Sequence, residues 1–386
     1  MTRQPYLYLD HNATTPVDPR VLESMLPWFR EGCGNPSSPH AAGARARDAV
    51  ERARGQAAAL LGVAPGAIVF TSGGTEANNH ALAGAARLGA ARGRDELVIS
   101  AIEHPSVSEA CRHLAGAGHV VRVAGVDGDC RLDLEAAARL IGPRTAVVSV
   151  MHANNETGAL QPVAAVASLA RAAGALVHTD AAQSLGKVPV RLDELGADLL
   201  SVAGHKLYAP KGVGLLCVRP GLDLPNLMFG AGHEGGRRPG TENVPGIVGL
   251  GAACELAARD LEAEGRRLSA LRDELSALLV AAVPGAHVHA AAAPRLPNTL
   301  SLSFPGASAP LIVRELTDVA VSAGAACHGD GQVGSAVLAA MGVAPELARG
   351  TLRLSLGRGT RAADVPRAAA AITLAVARAR DAEAGA

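Results

Sequence analysis

A chain of 386 residues, 48% hydrophobic but only 2% aromatic, buries a large core filled mainly by Ala, Val and Leu, which excludes a disordered tail or a small disulfide-stapled module. Lys plus Arg and Asp plus Glu both number 36, so no net field selects nucleic acid or an anionic membrane surface. Six Cys (Cys33, Cys111, Cys130, Cys217, Cys254, Cys327) stand apart with no C-x-x-C pair, which argues against a local zinc site or a disulfide framework.

Residues 1–10 lack the charged leader and apolar run of a signal peptide. The longest apolar stretches, such as 368–377, fall short of the roughly 20 residues that span a bilayer, so a cytoplasmic protein is expected. Short β-type runs then recur at 67–71, 96–100, 120–123, 145–151, 176–179, 199–203 and 214–218, each followed by turn residues and a helical Ala/Leu/Arg-rich stretch. That alternation predicts an α/β fold with a mainly parallel seven-stranded sheet. A long amphipathic helix is expected over 252–282, followed by a second, smaller α+β set: a strand at 299–304, a helix near 309–316, the Cys327 segment, a strand at 352–356 and a closing helix over 363–380. The expected domains are a large one over 14–255 and a small one built from 1–13 and 256–386 that carries the Cys327 segment.

Only three of the 36 basic residues are lysines: Lys187, Lys206 and Lys211. Arginine replaces lysine wherever a solvated cation suffices, but a guanidinium does not serve as a nucleophilic amine. The surviving lysines are therefore candidates for amine chemistry.

Polar residues cluster where the strands end. The run Thr71-Ser72-Gly73-Gly74-Thr75-Glu76 leads into a helix and offers backbone N–H groups and a hydroxyl to an anion. It matches neither a dinucleotide fingerprint nor a Walker loop, and alone it reads equally as a capped glycine turn. Other strands end in Glu103-His104, in His152-Ala153-Asn154-Asn155-Glu156, in His178-Thr179-Asp180-Ala181-Ala182-Gln183 and in Gly204-His205-Lys206. In an α/β sheet these ends converge on one rim, where ligands bind. An amine, a carboxylate, a ring able to stack and a phosphate cradle together describe pyridoxal 5'-phosphate (PLP) chemistry. Lysine forms the Schiff base, and an Asp on the pyridinium nitrogen keeps the ring an electron sink.

The segments 8–16, 34–38, 71–79, 154–158, 178–183, 204–208, 238–243 and 352–358 resemble the NifS/IscS type of cysteine desulfurase, within the class V aminotransferases, which are fold type I PLP-dependent transferases. The resemblance covers nearly the whole chain. It implies Lys206 as the Schiff-base lysine, His104 stacked on the ring, Asp180 on the pyridinium nitrogen and Gln183 near the ring hydroxyl. It further implies Gly74, Thr75 and His205 on the phosphate, Asn155 beside the cofactor, and Asn35, Asn155 and Arg353 toward the substrate carboxylate. Thr241 would reach the phosphate of a partner subunit, which implies a homodimer. Many desulfurases carry Ser three residues before the lysine, where this chain has Ala203; one phosphate hydrogen bond is either missing, a loss of about 1 kcal/mol, or supplied by Ser201, which is counted among the expected cofactor ligands.

Cys111, Cys217 and Cys254 lie in helix or strand patterns and read as buried small hydrophobes. Cys327 follows a glycine-containing stretch, precedes Gly329 and Gly331 and has His328 beside it, so an accessible thiol of depressed pKa is expected. The resemblance implies that this thiolate takes sulfur from L-cysteine, leaving a persulfide and L-alanine. The 324–328 stretch also resembles selenocysteine lyase, and an aminotransferase of the same superfamily or a non-enzymatic sulfur-carrier scaffold are the weaker alternatives. The sulfur acceptor is expected to be a protein of iron–sulfur assembly, tRNA thiolation or DNA phosphorothioation, with similarity to the desulfurases of actinobacterial phosphorothioation systems. No direct nucleic-acid or membrane contact is expected.

Overall fold

The computed structural model describes residues 6–324 and 334–384. A short strand, β1 (Leu7–Tyr8), and two helices, α1 (Pro19–Arg30) and α2 (Ala41–Leu61), precede seven strands. These are β2 (Ile68–Thr71), β3 (Glu96–Ser100), β4 (Val120–Ala124), β5 (Thr145–Ser149), β6 (Leu176–Asp180), β7 (Leu199–Ala203) and β8 (Gly214–Val218), all within two residues of the expected bounds. Every residue of β2, β3, β5, β7 and β8 is buried, as unbroken Val/Ile/Leu runs demand of a sheet covered on both faces. Strand order is β2-β8-β7-β6-β5-β3-β4. The run from β7 to β4 is parallel, and β8 lies antiparallel to both β7 and β2.

Helices α3 (Gly74–Ala90) and α4 (Pro105–Gly116) cover one face. Ala77, Ala81 and Ala85 of α3 are fully buried, and a Cβ on Gly89 would sit 2.2 Å from that of Ala146. Small residues thus draw the helix onto the sheet, which is how a core almost without rings reaches dense packing. On the other face lie α2 and the first half of a long helix, Val244–Ala282, capped by Asn243, whose Oδ1 accepts from Gly246 N at 3.1 Å.

That helix begins eight residues before the expected start at 252. Pro245, Gly246, Gly249 and Gly251 read as helix breakers, but the proline occupies the first turn, where it is tolerated. A Cβ on Gly251 would come within 2.6 Å of Ala53 Cα, and one on Gly249 within 2.7 Å of Met25 Sδ. Close helix packing therefore accounts for these two glycines.

The helix passes from one core into another. Residues up to Ala257 pack with the large sheet, whereas Leu268, Leu271, Leu275 and Leu279 join a second cluster that includes Leu9, Phe304 and Ile372. The second cluster surrounds a four-stranded antiparallel sheet of order β12-β13-β10-β9, from β9 (His287–Val288), β10 (Thr299–Ser303), β12 (Ser322–Ala323) and β13 (Thr351–Ser355). Strand β11 (Val319–Ala320) pairs in parallel with β1, and a final helix, Asp364–Ala384, closes the layer. Among the described residues no helix is long and apolar enough to cross a membrane.

Candidate active site

Four neighbouring parallel strands, β3, β5, β6 and β7, end on one rim, and a cavity of about 180 Å³ opens beyond them. It is lined by Lys206, Asp180, His104 and Gln183, and also by Gly74, Thr75, Asn155 and His205. Lys206 closes a single helical turn directly after β7. Burial holds its amine below the usual lysine range, Arg353 adds to the effect and Asp180 opposes it. A lysine so shifted has a larger neutral, nucleophilic fraction.

Asp180 is the last residue of β6 and is itself buried. Its carboxylate accepts from Asn78 Nδ2 and from Ala182 N, each at 2.8 Å. Asn78 Nδ2 also donates to Ser106 Oγ at 2.8 Å, so two helices brace the acid. His104 caps α4: Nδ1 accepts from Ser106 N at 3.1 Å and lies 2.8 Å from Ser106 Oγ, which fixes the ring plane.

Gly74 and Thr75 form the first turn of α3, where unpaired N–H groups and the helix dipole favour an anion. A Cβ on Gly74 would stand 3.2 Å from that of Ala203, so any side chain there would close this cradle. His205 is held neutral, its pKa lowered to about 4 by burial and by the nearby Lys206 and Lys211, and its Nδ1 lies 3.1 Å from Thr14 Oγ1. An amine facing a braced carboxylate, an imidazole fixed by its cap, and a helix N-terminus kept open by a glycine fit the ring, nitrogen and phosphate of PLP.

The expectation for Ser201 is corrected. Its hydroxyl lies 3.0 Å from His178 Nε2, fully buried in the middle of β7, and the residue does not line the cavity. It shares a sheet face with Ala203 but lies about 7 Å deeper, because a strand rises about 3.3 Å per residue. Arg353 lies behind the cavity wall, where Nη1 reaches the carbonyl oxygen of Asn155 at 3.4 Å. Asn35 and Thr241 are exposed and do not line this chain's cavity; Asn35 Oδ1 accepts from Ser37 N at 2.9 Å. Cys327 and His328 lie outside the described residues.

Cys111, Cys217 and Cys254 are buried, as is Cys130, and burial pushes all four thiols up to about 12. Cys33 is exposed.

Several residues at the site have roles that sequence reasoning did not assign. Asn78 carried a signal, since it stands three residues after Thr75 and therefore on the same helix face. Glu103 was noted only as part of a polar strand end, with no role: its Oε1 accepts from Ser100 Oγ at 2.5 Å and from Met151 N at 2.8 Å, Oε2 is buried with no partner among the described residues, and burial raises the carboxyl to about 8. Asn12, and Lys187 that the scarcity of lysine had singled out, back Gln183 through hydrogen bonds that only the fold creates.

The family model of class-V aminotransferases matches residues 7–367. A cysteine desulfurase of Gluconacetobacter diazotrophicus is 46% identical over 365 residues, 94% of this chain and 91% of that protein. Among solved structures, a NifS-like protein has a TM-score of 0.89 at 37% identity, covering 96% of this chain and 99% of its own. SspA in complex with cysteine gives 0.80 at 33% identity, with 91% and 98% covered. DndA from Streptomyces lividans gives 0.75 at 38% identity, with 89% and 97% covered. A family match across this length, on a fold whose strand ends assemble a PLP donor set, means that the chain belongs to the class-V aminotransferase family.

Proposed function

We propose that the chain is a PLP-dependent cysteine desulfurase that converts L-cysteine to L-alanine and leaves a persulfide on Cys327 for a sulfur-acceptor protein. The observation that carries this reading is the meeting of the Lys206 amine and the Asp180 carboxylate on one cavity, in a chain 46% identical to a cysteine desulfurase. Bound there, PLP supplies an electron sink.

The chain's own residues divide the remaining work. Lys206 holds the cofactor and carries protons at Nζ. Asp180, braced by Asn78 and Ala182, keeps a proton on the ring nitrogen. His104 would lie against the ring, Gln183 would donate to its hydroxyl, and Gly74, Thr75 and His205 would hold the phosphate. Thr241, exposed on this chain, completes the phosphate site of a second copy in a homodimer. Arg353, Asn155 and Asn35 would receive the substrate carboxylate. The Cys327 sulfur attacks the sulfur of cysteine; a carbon–sulfur bond breaks, a sulfur–sulfur bond forms, and alanine leaves with the proton.

The test is mass spectrometry after incubation with cysteine. Wild type gains one sulfur on the peptide containing Cys327 and releases alanine; Cys327→Ser binds PLP, changes its spectrum with cysteine and gains no sulfur. Added sulfur on Cys33 instead, or full activity in the variant, overturns the reading. Loss with cysteine but retention with selenocysteine makes the enzyme a selenocysteine lyase.

A further inference from the structure

We propose that Lys187 is a positioning residue that locks the Gln183 amide with one Nε2 hydrogen directed to the cofactor cavity. Lys206 lines that cavity and Lys211 is exposed, which leaves Lys187 as a half-buried amine with no assigned work. Among the described residues it has no acidic partner. Its Nζ donates to two amide oxygens, Gln183 Oε1 at 3.0 Å and Asn12 Oδ1 at 3.2 Å. Burial lowers its pKa well below the usual lysine value, and the like charges of Lys206 and Arg353 add to that. A fold that buries an amine away from any acid meets a desolvation cost, and such sites concentrate around function.

Both amides are oriented by groups that leave no choice. Asn12 Nδ2 donates to Asn155 O at 3.1 Å and to Thr299 Oγ1 at 2.8 Å, while its Oδ1 accepts from Asn298 Nδ2 at 3.1 Å as well as from Lys187. The backbone oxygen of Asn12 receives Gln183 Nε2 at 2.9 Å. A carbonyl only accepts, so Nε2 and not Oε1 must face it. Oε1 is thereby turned inward and needs a donor, and Lys187 has hydrogens for it in either protonation state. One Nε2 hydrogen goes to Asn12, and the second is left for the cavity that Gln183 lines. Without Lys187, Oε1 becomes a buried acceptor with no partner, and the side chain gains a reason to rotate away.

The inference rests on the PLP reading, and its test reads cofactor affinity rather than turnover. The full chain is stripped of cofactor and titrated with PLP as wild type, Lys187→Met, Gln183→Leu and the double variant, with thermal melting as the check on folding. Lys187→Met should weaken PLP binding about tenfold, and the double variant should be no weaker than Gln183→Leu alone. Affinity within twofold of wild type in Lys187→Met, or losses that multiply in the double variant, overturns the role. Lys187→Cys provides a second route: treatment with 2-bromoethylamine rebuilds the amine and should restore affinity, and no recovery also overturns it. Wild type that fails to bind PLP defeats the cofactor reading itself, which separates the two failures.

Discussion

Asp10 Oδ1 and Arg353 Nη2 form an ion pair at 2.8 Å, and Ser322 Oγ lies 2.9 Å from the same nitrogen. The pair ties the strand β13 to the chain's entry segment and fixes one edge of the guanidinium. Among the described residues Arg353 Nε is buried with no partner, so those neighbours do not saturate the group. Arg353→Ala should raise KM for cysteine by about tenfold or more with a smaller change in kcat, as expected when a carboxylate anchor is lost. Asp10→Asn, which loosens the anchor without removing it, should give a smaller rise. Steady-state alanine release checks both, and a change confined to kcat would remove Arg353 from the substrate site.

Asp180→Asn tests the acid. The amide keeps the shape and can still accept from Ala182 N but no longer from Asn78 Nδ2, so the fold should survive with a small loss in melting temperature. It cannot hold a proton on the ring nitrogen, and activity should fall by about a hundredfold or more. Near-normal alanine release in a PLP-loaded variant would refute the assignment.

Ala203 faces Gly74 across the phosphate cradle. With Ser201 committed to His178, no hydroxyl from β7 reaches that cradle. Ala203→Ser should therefore tighten PLP binding about fivefold, the equivalent of one added hydrogen bond of about 1 kcal/mol. An equilibrium titration of cofactor-free protein reads this directly. Weaker binding would mean that the space beside Gly74 is already needed by the phosphate.

Glu103 makes stability depend on pH in a definite direction. Its folded pKa is raised, so the native state holds a proton that the unfolded chain has released; the contribution is complete below 4.5 and is lost as pH rises through about 8. Glu103→Gln keeps an acceptor for Ser100 and Met151 and does not titrate. Its melting temperature relative to wild type should climb across that interval. Parallel melting curves would show that Glu103 ionises in the fold as easily as in water.

What the sequence made legible follows from where each signal resides. The seven strands are legible because burial on both faces forces continuous apolar runs, and Asp180 and Lys206 because they stand directly beyond those runs. Ser201 misled because alternation tells which face a side chain takes but not how deep along the strand it lies. The start of the long helix was hidden because Gly249 and Gly251, which permit close helix contact, look like breakers. Glu103 and Lys187 stood out in the sequence but their roles did not: a carboxyl without an ammonium and an amine without an acid acquire meaning only from partners distant in the chain.

The four interior cysteines have a chemical consequence for sulfur traffic. A thiol pushed up to about 12 exposes only about one thiolate in 10⁵ at neutral pH, and it is the thiolate that attacks a disulfide or persulfide. Burial and the small thiolate fraction therefore both oppose inward scrambling of sulfane sulfur through Cys111, Cys130, Cys217 or Cys254. Among the described residues the route for stray exchange narrows to Cys33 alone, so isotopically labelled sulfur should remain at the thiol that first receives it until an outside acceptor, or Cys33, takes it away.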